Sequence, residues 1–208
     1  MRRALHKQQT NQDKTMSIMF TVLIYAILVC LSIVGCSCFE WLLHKFVMHR
    51  PFLGFKYPFK AHQLIHHETF GWKADYHLQN EIDRKTIPMA WWNGPVLICI
   101  ATLIPLLISY LLNWWAVCII FGIVVTFYFI AYEYFHWCMH EPRNRWFEQT
   151  RWYKFIDNHH RIHHLKMNSN LNVVFPFADW LVGSLVLKSP IEFPQPTTKK
   201  THSTWFEV

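Results

Sequence analysis

Thr86-IPMAWWNGPVLICIATLIPLLISYLLNWWAVCIIFGIVVTFYFIA-Tyr132 runs for 47 residues without a charged side chain. As one helix it would reach about 70 Å, roughly twice the ~30 Å hydrocarbon core of a bilayer, so it must fold back on itself. Asn113 is the natural turn, being polar and followed by Trp114 and Trp115, aromatics of the kind that prefer the membrane interface. A second uncharged run, Ser17 to Phe39, has 23 residues and supplies one further span of about 35 Å. The expectation is an all-α integral membrane protein with spans near 17–41, 87–111 and 115–136. Residues 1–208 form a single domain in this reading, with 1–16 and 190–208 as tails.

Composition agrees: 52% of the chain is apolar and only 16% charged, well off the balance of an ordinary soluble domain. Three spans place segments 40–85 and 133–208 on one side, with 7 and 9 Lys/Arg, and residues 1–16 opposite, with 4. The positive-inside tendency then puts the two long segments in the cytoplasm, although Arg2, Arg3, Lys7 and Lys14 beside the first span favour the reverse. The net charge of +7 is mostly explained by these flanks, and no basic run stands apart from them to suggest a nucleic-acid partner. Five of the six cysteines lie in apolar runs and Cys138 sits just beyond one, with no C-x-x-C pair, so they read as small helix residues. Ile33-Val34-Gly35-Cys36 after a basic start also resembles a lipoprotein signal with Cys36 modified. Cleavage there would remove the first span eight residues before His44, which disfavours that reading.

The loop opens at Arg50-Pro51, so the first helix should end near His49, with a fresh helix from about Phe59 to Glu68. Pro88, Pro95 and Pro105 interrupt the second span, which a bundle tolerates. The apolar stretch 175–188 is too short to span and reads as interfacial or buried, and the chain after Pro190 reads as frayed.

Eleven of the 14 histidines fall into four short clusters beside the spans: His44-KFVM-His49, His62-QLI-His66-His67, His136-WCM-His140 and His159-His160-RI-His163-His164. Residues four apart on a helix share a face within reach of a single ion. His62/His66, His136/His140, His160/His164 and His159/His163 all have that spacing, whereas His44 and His49, five apart, need the break at Pro51 or serve different ions. About ten imidazoles exceed what one ion accepts and suit two. Ligating histidines usually donate their other ring N–H to a carboxylate or carbonyl, which makes Glu40, Glu133, Asp157 and His159 candidates for the layer behind the ligands. The lone His6, His77 and His202 read as ordinary interface residues.

These residues resemble the fatty acid hydroxylase superfamily, which includes sterol desaturases, sphingolipid hydroxylases and carotene hydroxylases. Its pattern is a histidine pair separated by three or four residues, then two motifs in which a histidine precedes a His-His pair by two or three. His44/His49, His62/His66-His67 and His160/His163-His164 match in order, with His159 as the alternative first histidine of the last motif. His136/His140 matches a fourth element found on the last membrane helix of lipid 2-hydroxylases, and Pro176-Phe177-Ala178-Asp179 through Gly183-Ser184 is similar to the segment that follows the last motif. Gln63 departs from the pattern, standing where many lipid 2-hydroxylases place a histidine. The resemblance runs from about Glu40 to Leu187.

The resemblance implies a helical cap on the cytoplasmic side carrying a dimetal site. Its ligands would be His44, His49, His62, His66, His67, His136, His140, His160, His163 and His164. Two metal ions are implied, iron by preference because zinc has no redox chemistry, with zinc a substitute in purified protein. The implied activity is O2-dependent hydroxylation of a C–H bond in a membrane acyl lipid, with electrons from a cytochrome b5-type protein or a ferredoxin and its reductase. Lipid or sterol desaturation and carotenoid hydroxylation would use the same site. From other classes, a b-type cytochrome needs histidine pairs within the spans and a metal transporter needs polar residues at mid-membrane. Either a bacterial inner membrane or the endoplasmic reticulum would suit.

Overall fold

The computed structural model describes residues 2–71 and 76–188, the side chains of 2–11 excepted. The expected frayed tail, with His202, and the side chain of His6 lie outside the described residues. Helix α1 covers Arg2–Leu43 and passes without a break into a π-helical turn, His44–Met48. Three consecutive pieces form α2: α-helical Tyr57–Phe59, π-helical Lys60–His66 and α-helical His67–Thr69. Then come α3, Asn93–Leu112; α4, Ala116–His140; α5, Arg151–Leu165; and the short α6, Phe177–Leu181. No strand occurs among the described residues.

Three helices are long and apolar enough to cross a membrane, in Gln12–Met48, Asn93–Leu112 and Ala116–His140. Their outward residues remain uncovered, Ile104, Leu111 and Phe127 being about 70% exposed, as lipid-facing side chains are. Three hydroxyls within these helices are satisfied locally: Ser32, Thr102 and Thr126 each donate to the carbonyl four residues back. That removes the cost of a free donor in hydrocarbon. Helix α4 packs on both α1 and α3. Small residues let them approach: a Cβ on Gly35 would lie 3.3 Å from the Phe121 ring, and one on Gly94 2.6 Å from that of Phe129. Asn113 makes the hairpin turn in the left-handed conformation (φ 49°), an open choice for Asn, and Trp114 there meets Tyr25 of α1.

The second span starts at Asn93, six residues later than the sequence predicts. The residues before Asn93 do not form part of the helix: Glu81–Thr86 is a 3-10 turn, Ile87 is buried (2% exposed) with its backbone bonded to His136, and Trp91 is exposed. The third span runs four residues longer than expected, so His136 and His140 occupy its last two turns.

Polar elements close over the end of the bundle where α1 and α4 finish. Thr150 caps α5, accepting from the Tyr153 N–H, and Tyr153, Ile156, Cys138, Met139 and Val173 form the core beneath it. A strap of residues 170–186 crosses back to α1. Asp179 knots the strap by accepting from the backbone N–H groups of Leu171 (2.9 Å) and Asn172 (2.8 Å), and from Ser184 Oγ (2.6 Å). Glu40 ties the strap to two spans, accepting from Val173 N, Asn172 Nδ2 and the Tyr128 hydroxyl. The 175–188 segment is thus partly buried, as expected, with Ala178 and Asp179 inside.

Candidate metal centre

The ten expected ligands converge as two groups of five: His44, His49, His62, His67 and His163, and His66, His136, His140, His160 and His164. Within each group one ring nitrogen per residue lies within 4.8 Å of all the others. All are buried except His49, which is half-buried.

Local winding decides which ring joins which group. In the π-helical turns, hydrogen bonds run from i to i+5, as His49 N to His44 O and His67 N to His62 O, so residues five apart come to lie over one another. His44 and His49 therefore share a group without the break at Pro51 that their spacing suggested. For the same reason His62 pairs with His67, and His66 turns to the other group, contrary to the expectation that His62 and His66 meet one ion. On the α-helical α4 and α5 the four-residue rule holds: His136 with His140 and His160 with His164. His159 joins neither group and bonds Asp179 at 3.1 Å.

The rings that have a partner behind them are oriented by backbone carbonyls or Gln63, not by the expected carboxylates, while Nδ1 of His67, His160 and His164 has no partner among the described residues. His44 Nδ1 donates to Leu171 O, His66 Nδ1 to Thr86 O (3.1 Å), His140 Nδ1 to Tyr76 O (2.9 Å) and His163 Nδ1 to Ser169 O (2.9 Å). His49 Nδ1 donates to Gln63 Oε1, so Gln63 orients this ring. Glu40 is occupied by the strap, Glu133 accepts from the Met89 backbone, and Asp157 pairs with Arg161 at 3.1 Å. Among the described residues none of the three carboxylates hydrogen-bonds a ligand ring. A carboxylate three or four positions earlier lies one helical turn away, whereas the oriented imidazoles meet a different chain segment. The carbonyl partners went unforeseen because every residue has one. Asp179, which fixes the Leu171 peptide behind His44, had a signal in the Pro176–Ser184 segment.

These bonds place the ring protons outward and the lone pairs inward. His49 Nε2 and His163 Nε2 then face each other at 3.1 Å, both with Nδ1 already donating. In the other group His66 Nε2 and His136 Nε2 do the same at 3.1 Å, with His136 also bonded to the Ile87 backbone. Two lone pairs at that distance repel unless a cation lies between them. Ligand nitrogens held about 2.0–2.1 Å from an ion stand roughly 2.9–3.4 Å apart, and the Nε2 contacts here span 2.8 to 3.3 Å.

Burial keeps the rings neutral, as ligation requires. It pushes His49 and His66 down to about 4, and takes His62, His67, His160, His163 and His164 well below the ordinary imidazole value, with neighbouring imidazoles adding to the effect. Each group could therefore hold a metal ion.

Two aromatic residues missed by the sequence reading stand against the groups. Tyr132 stacks on His136 (centroids 5.7 Å apart, planes 20°), and Tyr76 packs between His140 and the Arg161 guanidinium. An apolar cleft of about 600 Å³, counting its open mouth, lies among α1, α3 and α4 and reaches His44. Comparison with protein-family models, curated proteins and solved structures found no match to this chain.

Proposed function

We propose that this chain is a membrane-bound, O2-dependent lipid hydroxylase whose two histidine groups each hold a redox-active metal ion, iron in the native enzyme. The observation that carries the reading is the pairing of two buried all-imidazole groups with an apolar cleft among three apolar helices. The resemblance of the histidine spacing to the fatty acid hydroxylase superfamily points the same way. Imidazole suits iron, copper, zinc and nickel alike, and the demand for redox chemistry selects iron over zinc.

When bound, the ions would supply O2 activation: one oxygen atom enters a C–H bond as hydroxyl, and the other leaves as water with two external electrons and two protons. The chain's residues do the rest. The ten imidazoles would hold the two ions, the carbonyls behind His44, His66, His140 and His163 and the Gln63 amide behind His49 keep those rings in one tautomer, and the cleft would orient a hydrocarbon chain and keep water from it. Hydroxylation is preferred to desaturation because His136 and His140 match the element found in lipid 2-hydroxylases. A separate cytochrome b5-type or ferredoxin donor would deliver electrons on the histidine side, for which the positive-inside tendency of the two long segments favours the cytoplasm.

Metal analysis of detergent-purified protein, combined with lipidomics of an expressing host that has a competent donor, tests this. About two iron atoms per chain and a lipid product one oxygen atom heavier are expected, and His136→Ala or His164→Ala should abolish the product. An unchanged lipid profile alongside a full metal complement would overturn the hydroxylase assignment.

A further inference from the structure

Two cavities approach the histidines from different sides. The apolar cleft follows α1 from Cys36 to Met48, a length of about 18 Å by helical rise, close to the depth of one leaflet of a ~30 Å hydrocarbon core. A second cavity of about 790 Å³, counting its open mouth, lies between α2 and residues 85–89 and touches His62, His66 and His136. Met89 and Tyr132 line both, which makes them the partition between the cleft and the histidine-walled chamber.

Tyr132 carries a second sign of use. Its hydroxyl is buried without a hydrogen-bond partner among the described residues. Buried polar atoms are seldom left that way in native proteins. The charges on the two sides also differ. Glu40 and Glu133 line the cleft, whereas the exposed Lys85 stands at the chamber. The cleft offers an anion no cationic partner, whereas Lys85 favours one on the chamber side.

We propose that cleft and chamber are two halves of one lipid channel. The hydrocarbon tail lies among α1, α3 and α4, an anionic head group sits beside Lys85, and Met89 and Tyr132 hold the carbons between. The lipid's direction is fixed, tail in the cleft and head in the chamber. The partition is the part of the channel nearest His136, so it sets which carbon is oxidised; this last clause rests on the hydroxylase reading, while the channel and its direction do not. Either a free carboxylate or a phosphate ester could provide the anion.

Photolabelling tests the channel without turnover. The full chain in lipid nanodiscs is kept anaerobic and exposed to acyl probes with a diazirine either near the carboxyl end or near the chain end, each as the free acid, the phospholipid and the neutral methyl ester. The chain-end acid should label Leu97 or Val125, and the carboxyl-end acid Ala61 or Ile65. Lys85→Gln should lower labelling of Ala61 and Ile65 by the anionic probes two- to fivefold, with the ester unchanged and the metal content and thermal unfolding at wild-type values. Labelling by the acid alone assigns a carboxylate head, and labelling by the phospholipid assigns a phosphate. A reversed pattern, equal labelling by the ester, or label confined to lipid-facing Ile104 and Phe127 overturns the proposal. Ordered labelling with no hydroxylated product would sink the hydroxylase reading and leave the channel standing; hydroxylated product with disordered labelling would do the opposite.

Discussion

Replacing Asp179 by alanine should strip metal from one histidine group before the other. Its carboxylate is fully buried and accepts four hydrogen bonds, from Leu171 N, Asn172 N, Ser184 Oγ and His159 Nε2. Truncation orphans two backbone donors, a hydroxyl and an imidazole, each costing ~1–3 kcal/mol when left dry. Water admitted to the space relieves part of that, so a net loss of about 3–5 kcal/mol is expected, the range found when a buried pair loses one member. For a chain of this size that corresponds to a fall in Tm of roughly 6–20 °C. The chemical consequence is local. Leu171 O is the acceptor that orients His44, and Ser169 O, which orients His163, lies one residue before the same strap. The second group is oriented by Thr86, Ile87 and Tyr76 and makes no use of the strap. Loss of an orienting partner weakens metal affinity about 10–100-fold, so under mild chelation the variant should fall towards one ion per chain. Differential scanning fluorimetry and metal analysis of the same preparation read both effects. Two ions held as tightly as in wild type, with Tm lowered by less than about 2 °C, would refute the reasoning.

Gln63→Leu removes the acceptor behind His49 and should weaken metal binding about 10–100-fold with little change in Tm, read by competition with a chelator. Gly94→Leu drives a side chain into the Phe129 ring, which stands 2.6 Å from the position of a Cβ, and should cost ~1–3 kcal/mol in thermal unfolding. Acid should destabilise the metal-free protein: His49 and His66 titrate in the fold at about 4, below the ordinary ~6.5 of the unfolded chain. Their neutral forms therefore stabilise the fold above pH ~6.5, and that contribution fades as pH falls towards 4. A Tm that stays flat across this window would contradict the assignment of both rings as buried and neutral. Asp179 adds a lower step. Burial raises its carboxyl, but the bonds from His159, Ser184 and the two backbone amides outweigh that and hold it below the ordinary value, so its contribution is lost only below about pH 4.

Reading the chain without coordinates brings out the three apolar helices and all ten converging imidazoles, because hydropathy and histidine spacing are local signals. What stayed hidden was local winding and distant partners. A π turn satisfies a different hydrogen-bond period with the same residues, so nothing in His44-KFVM-His49 distinguishes it from an α turn, and such turns make up well under ~1% of residues. His62 and His66 were consequently matched to each other when the winding sends them to different groups. Residues 87–92 were read as membrane because an uncharged stretch looks the same whether it belongs to a span or to the turn that leads into one. The carboxylates Glu40 and Asp157 were placed behind the ligands by helical offset, while the structure commits them to the strap and to Arg161.

Iron K-edge X-ray absorption on the purified, iron-loaded chain, with metal stoichiometry from the same sample, tests the central claim most directly. Two irons per chain, each in an imidazole-dominated shell of four or five nitrogens at about 2.0–2.2 Å, is the expected result. A single iron, or a shell containing sulfur, would contradict the two-group account.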